Sequence, residues 1–143
     1  DCKIGNSNDL ASWVPAPTPT QIGARSYAGT QQSTRVSLAW ADGAIKNTWL
    51  RVEVKATART GLAAPYVFYF GNTVGETGNS STDAYVGATD QLRIRTNAIG
   101  INQAAITNVF DINRDRQVGA LDVLLARQNV LPRERALRLI TAP

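Results

Sequence analysis

The chain has no histidine, no methionine and a single cysteine among its 143 residues. Without an imidazole there is no neutral-pH base to activate a serine or cysteine and no histidine to ligate a metal. One thiol also excludes a thiolate zinc cage and an internal disulfide, so Cys2 reads as an unpaired thiol, with an intermolecular disulfide or lipid attachment as the alternatives. Long apolar runs are missing as well, and the sequence predicts neither a membrane span nor a signal peptide. Starting at Asp1 and lacking methionine, it reads as a processed product or an excised fragment.

Acidic residues are few, and most are committed. The net charge of +4 comes from arginines scattered along the chain rather than gathered on one face, and no nucleic-acid motif accompanies them. A carboxylate pair for glycoside hydrolysis is the one catalytic device left open by composition. Five of the eleven acidic residues (Asp83, Asp90, Asp111, Asp115 and Asp122) fall in two loops of another character, and the rest are dispersed. The sequence therefore predicts no catalytic residues and a protein that is not an enzyme.

Those two loops carry the strongest signal. In Asp111-Ile-Asn-Arg-Asp-Arg-Gln-Val-Gly-Ala-Leu-Asp122, side-chain oxygens stand at loop positions 1, 3, 5 and 12. Calcium takes six to eight oxygen ligands, and a tight loop with oxygens at alternate positions turns them inward around one ion. Asp111, Asn113 and Asp115 supply the first side chains, Gln117 its backbone carbonyl, and Asp122 the closing carboxylate. The segment Asn79-Ser-Ser-Thr-Asp-Ala-Tyr-Val-Gly-Ala-Thr-Asp90 aligns with it at an offset of 32 residues without a gap, and the match continues at Leu92 and Leu124, Arg95 and Arg127, and Asn97 and Asn129. This is an internal duplication of a loop followed by a short amphipathic helix. The corresponding ligands are Asn79, Ser81, Asp83, Tyr85 at position 7 and Asp90, with Glu76 close upstream as a further oxygen. Two calcium ions are expected. The second loop is the better equipped, having Asp111 and Asn113 where the first has Asn79 and Ser81.

Upstream, residues 1–20 are polar and then proline-rich, which favours an extended segment. Residues 21–72 read as strands: Val36, Leu38 and Trp40 alternate with polar or small residues, as do Leu50, Val52 and Val54, and a weaker candidate covers Gln21 to Tyr27. Asp42-Gly43 and Thr60-Gly61 are turn signals, the first read as a hairpin between the two alternating strands. Tyr66-Val-Phe-Tyr-Phe70 lacks clean alternation and reads as a strand buried on both sides. About four strands give one sheet or a partial β-sandwich with faces and edges left to cover. The fold expected is α+β: an N-terminal antiparallel sheet or partial sandwich, then a pair of EF-hand-like calcium loop-helix units over residues 73–143.

The duplicated unit resembles type I dockerins, whose two calcium loops follow an Asp-x-Asn-x-Asp pattern closed by Asp at position 12, each followed by a helix. Over residues 34–142 the chain, with Trp40-Ala-Asp-Gly-Ala-Ile-Lys-Asn-Thr-Trp-Leu50, Val67-Phe-Tyr-Phe-Gly-Asn72, Gly75-Glu-Thr-Gly-Asn79 and Ala136-Leu-Arg-Leu-Ile140, looks like the C-terminal module of large secreted bacterial proteins. The resemblance implies an extracellular or cell-surface location and an ordering role for calcium. Position 6 departs from it: Ala84 and Arg116 stand where glycine is usual, and a positive φ there costs on the order of 1 kcal/mol.

Two non-enzymatic roles follow. The first is a structural subunit of a secreted or cell-surface fibre that assembles with copies of itself, its N-terminal segment around Asp9 to Ile22 packing on the next subunit. The second is a docking module for a cohesin-like receptor. A surface polysaccharide is a further partner suited to the basic balance.

Overall fold

Strand-forming and helix-forming segments separate along the chain, giving an α+β fold. The computed structural model describes residues 1–141; residues 142 and 143, at the end of the expected dockerin-like region, lie outside the described residues. Strands run over Cys2–Gly5 (β1), Val14–Pro15 (β2), Gln21–Arg25 (β3), Arg35–Ala39 (β4), Thr48–Val54 (β5) and Tyr66–Asn72 (β6), followed by helices Ala88–Thr96 (α1) and Ala120–Gln128 (α2). Four strands form one antiparallel sheet in the order β2-β1-β5-β6, and β3 and β4 pair separately as a two-stranded ribbon.

Register assigns the faces, because side chains alternate along a strand. Cys2, Val52 and Phe68 align across the sheet, as do Ile4, Leu50 and Phe70, so one face is apolar. The other carries Lys3, Arg51 and Tyr69, then Gly5, Trp49 and Gly71. Trp13 covers that second face: it is buried, meets the Tyr69 ring edge-on at 6.1 Å between centroids, and donates from Nε1 to the Ser7 carbonyl at 3.0 Å. A Cβ at Gly5 would stand 2.3 Å from the Trp13 ring, so glycine lets the indole lie flat on the strand.

Three features differ from the sequence reading. Strands are expected within residues 21–72 alone, but β1, outside that range, lies between β2 and β5. Its four residues are too short for a periodicity signal, and their partners on β5, from Trp49 to Val52, are far away in the chain. Asp42-Gly43 turns, with Gly43 at φ +73°, but does not close a hairpin, because β4 pairs with β3 while β5 belongs to the other sheet. Tyr66 to Phe70 is not buried on both sides. β6 is a sheet edge, and Tyr66, Phe68 and Phe70 are exposed.

The helical half has its own core of Val86, Ile94, Ala104, Val118 and Ala126, with Ile99, Phe110, Ile112 and Val123 packed against it. Burial repeats with the duplication: Val86 and Val118 are buried, as are Ile94 and Ala126, while Leu92 and Leu124 are both exposed. The stretch after β6 and the segment after α2 both tie the halves together. Gly75, at φ +94°, approaches α2 so closely that a Cβ would meet the Ala126 Cα at 2.7 Å. The C-terminal segment returns to the sheet, where Trp49 Nε1 donates to the Arg138 carbonyl at 2.7 Å and Asn6 Nδ2 to the Ala136 carbonyl at 2.9 Å.

Candidate metal centre

The second loop is organised by its own carboxylates. α2 starts after Gly119, which puts Asp122 in its first turn, where an acidic side chain can accept from the orphan N–H groups. Asp122 Oδ2 accepts from the Gly119 N–H at 2.8 Å, while Oδ1 accepts from Ile112 at 2.8 Å and Asn113 at 3.3 Å. One side chain thus fastens the beginning of the loop to the helix that ends it. Asp111 spans the middle, accepting from the Asp115 N–H at 3.1 Å and the Arg116 N–H at 2.9 Å. Asp115 accepts from the Gln117 N–H at 2.9 Å and from Asn113 Nδ2 at 2.8 Å. Arg114 and Arg116 take left-handed φ of +61° and +68°. Their guanidinium groups donate to the carbonyls of Ile106, Asn108 and Asn102. Position 6 does take a positive φ in this loop, and an arginine bears its cost.

Asp111 and Asp122 are 0% and 1% exposed. The ion pairs among the described residues are Arg51 with Glu53 and Arg133 with Asp83, so neither buried carboxylate has a cationic side chain beside it. Backbone N–H groups offset part of the desolvation, and a buried anion without a counter-charge remains costly. Among the described residues no three acidic or thiol side chains already converge as a metal cluster. The oxygens of Asp111 and Asp122 face backbone donors, yet each keeps acceptor capacity after one or two N–H contacts. A divalent cation fits this set by charge and by donor type: Asp111, Asn113, Asp115 and Asp122 would hold it with the Gln117 carbonyl.

The first loop is built otherwise. Asp90, also fully buried in the first turn of its helix, accepts from the Gly87 N–H at 2.9 Å. Its other oxygen does not reach the amides of Ser80 and Ser81. It accepts from Thr77, upstream of the loop, through N–H at 3.0 Å and Oγ1 at 2.9 Å. Thr77 is buried and is held in turn by Arg93 Nη1, which donates to its carbonyl at 3.0 Å. Asn79 and Ser81 are exposed. Asp83 stands 3.7 Å from the Arg133 guanidinium, which also lies 4.8 Å over the Tyr85 ring. Glu76, expected as a further ligand, accepts from the Gly78 and Asn79 N–H groups at 2.9 and 3.3 Å. Ala84 is not among the residues of positive φ, so the two loops turn differently at position 6.

Sequence reasoning missed Thr77 and Arg133, which occupy Asp90 and Asp83. Thr77 stands between glycines in Gly75-Glu-Thr-Gly78, a local hint of tight packing, whereas Arg133 lies 50 positions from Asp83 and gave no signal. The segments after the helices complete the unit. Ile99, just past α1, exchanges N–H and carbonyl bonds with Val118 of the second loop at 3.0 Å each, while Leu137, past α2, bridges to Ala84 of the first. No family model, curated protein or solved structure matches the chain.

Proposed function

We propose that the chain is a calcium-binding docking module of the dockerin type, acting outside the cell. The observation that carries the reading is the Asp122 carboxylate. It is buried, without a cationic partner, and bound to the amides of loop positions 2 and 3 and to the start of α2. Asp111 is buried in the same loop. Calcium supplies the missing positive charge and rigidifies the loop and the helix that follows. The docking face is α1 and α2, which expose Leu92, Leu121 and Leu124, apolar residues that the module's own core leaves uncovered. This role is ranked above a fibre subunit joined through Asp9 to Ile22 because that segment is engaged with its own chain: Val14 and Pro15 pair with β1, Trp13 packs on Tyr69, and Trp40 Nε1 donates to the Pro17 carbonyl.

Isothermal titration of the metal-stripped chain with calcium chloride tests the metal half: heat is expected, and its absence refutes calcium binding. Calcium-dependent capture by a panel of cohesin modules tests the docking half. Binding is expected to be lost in Leu124→Glu, and a calcium-loaded chain that none of the panel retains defeats the docking role while leaving the metal site standing.

A further inference from the structure

The two edges of the four-stranded sheet are built differently. β2 is two residues long, contains Pro15, which has no N–H, and is followed by Pro17 and Pro19, so this edge cannot extend a ladder. β6 offers seven residues, and no charged residue stands anywhere between Thr60 and Gly75. Tyr66, Phe68 and Phe70 are 58%, 41% and 55% exposed along it. Their ring centroids follow one another at 4.7 and 6.3 Å. Edge strands are ordinarily guarded by charge, proline or a bulge. Here one edge is guarded and the other is bare.

We infer that β6 pairs antiparallel with β6 of a second copy, merging two four-stranded sheets into one. The strand is complementary to itself. A two-fold axis at Phe68 sets Phe68 opposite Phe68, Tyr66 opposite Phe70 and Val67 opposite Tyr69, so every pair is apolar or aromatic and none opposes like charges. An aromatic side chain buries about 150–250 Å² when covered. Edge-to-edge pairing covers only the flanks of these rings, so the contact combines a backbone ladder with three cross-strand aromatic or apolar pairs and stands at the small end of interface size, below about 1,200 Å². Assembly stops at two, because the outer edges of the merged sheet are the proline-bearing β2 strands. The inference stands independently of the calcium reading.

Sedimentation equilibrium of the full chain, with calcium present and from micromolar to near-millimolar concentration, tests it. A monomer–dimer equilibrium is expected, and Phe68→Lys should weaken it roughly tenfold or more by opposing two ammonium groups. Phe68 is already part-exposed, so the melting temperature of that variant at low concentration should stay close to the parent and mark it as folded. Independently, Phe68→Cys in a Cys2→Ser background should oxidise to a disulfide dimer in air, whereas Ala24→Cys in the same background should not. A monomer at every concentration, a dimer indifferent to Phe68→Lys, equal cross-linking at both positions, or an open-ended series of oligomers each overturns the pairing.

Discussion

Asn6 and Arg138 stand 132 positions apart and are joined by a 2.7 Å hydrogen bond, the Arg138 N–H donating to Asn6 Oδ1, while Asn6 Nδ2 donates to the neighbouring Ala136 carbonyl at 2.9 Å. Two residues on, Asn8 accepts from the Thr141 N–H at 2.9 Å. The loop after β1 thus grips the segment that follows α2, and that segment bridges to the loop before α1 through Leu137 and Ala84. Sheet and loop pair are coupled through backbone groups, which an asparagine amide satisfies in pairs because it both donates and accepts.

Asn6→Ala should therefore destabilise the chain by about 1–3 kcal/mol, since one truncation leaves a part-buried carbonyl and an N–H unmatched. Thermal unfolding read by tyrosine and tryptophan absorbance checks this. A melting temperature within a degree of the parent refutes the clamp.

Asp122→Ala should act in two ways that one experiment separates. In EDTA it should cost about 1–3 kcal/mol, because three backbone N–H groups lose their acceptor. In saturating calcium the gap to the parent should widen, because the parent gains ligand stabilisation and the variant does not. Melting curves that differ equally with and without calcium would leave Asp122 a helix cap and loop tie and nothing more.

The two loops should fill in order. In the second, Asp122 closes on the loop's own amides; in the first, Asp90 closes on Thr77 and Asp83 is engaged by Arg133. Calcium entering the first loop must compete with that arrangement and finds one fewer carboxylate at position 1. Amide shifts of Arg116 and Val118 should respond at lower calcium than those of Ala84 and Val86 in a titration followed by NMR. Simultaneous responses contradict the order.

Much of this was legible in the sequence where the signal is local. A gapless 32-residue repeat placed both helices, with their closing aspartates in the first turn, because duplicated chemistry folds alike. Leu50, Val52 and Val54 announced β5 by alternation. What escaped was non-local or short. Trp13 gave no periodic signal, yet it is the buried tryptophan, since Gly5 opens a flat place for it. Thr77 and Arg133 act on the first loop from outside its twelve positions. Strand pairing misled for a related reason: Val36 to Trp40 alternates as well as β5 does, yet Val36 is exposed, because alternation marks which residues share a face and not what covers it or which strand is next.

The Arg51–Glu53 pair on β5 sets an acid limb. Arg51 Nη2 donates to Glu53 Oε2 at 2.7 Å and holds the Glu53 carboxyl below its ordinary value of 4.5, while Glu53 raises Arg51. A carboxyl whose pKa is depressed by folding contributes stability above its unfolded value and loses it as pH falls through the folded one. Glu53→Gln should therefore be less stable than the parent at neutral pH, the gap narrowing below about pH 4.5, the ordinary value, and vanishing once both states of the parent are protonated. Urea midpoints measured from pH 7 to pH 3 test the sign. A gap that grows towards acid refutes it.

Deleting residues 1–20 distinguishes a segment built into the fold from one that reaches for a neighbour. An arm that docks elsewhere can be removed to leave a soluble, folded monomer. Here the deletion removes both β1 and β2, leaving β5 as a bare edge, takes Trp13 away from Tyr69, and releases Ala136, Arg138 and Thr141 from Asn6 and Asn8. The loss of a buried tryptophan alone costs about 3–5 kcal/mol, and whole domains are stable by only about 5–15 kcal/mol. The truncated chain should therefore lose cooperative unfolding of the sheet half, seen as collapse of the near-ultraviolet circular dichroism and rapid amide exchange across β5. Trp13→Ala should move the parent in the same direction by a smaller step. A truncated chain that melts like the parent would show that the sheet does not need β1, and the N-terminal segment would again be available to a partner.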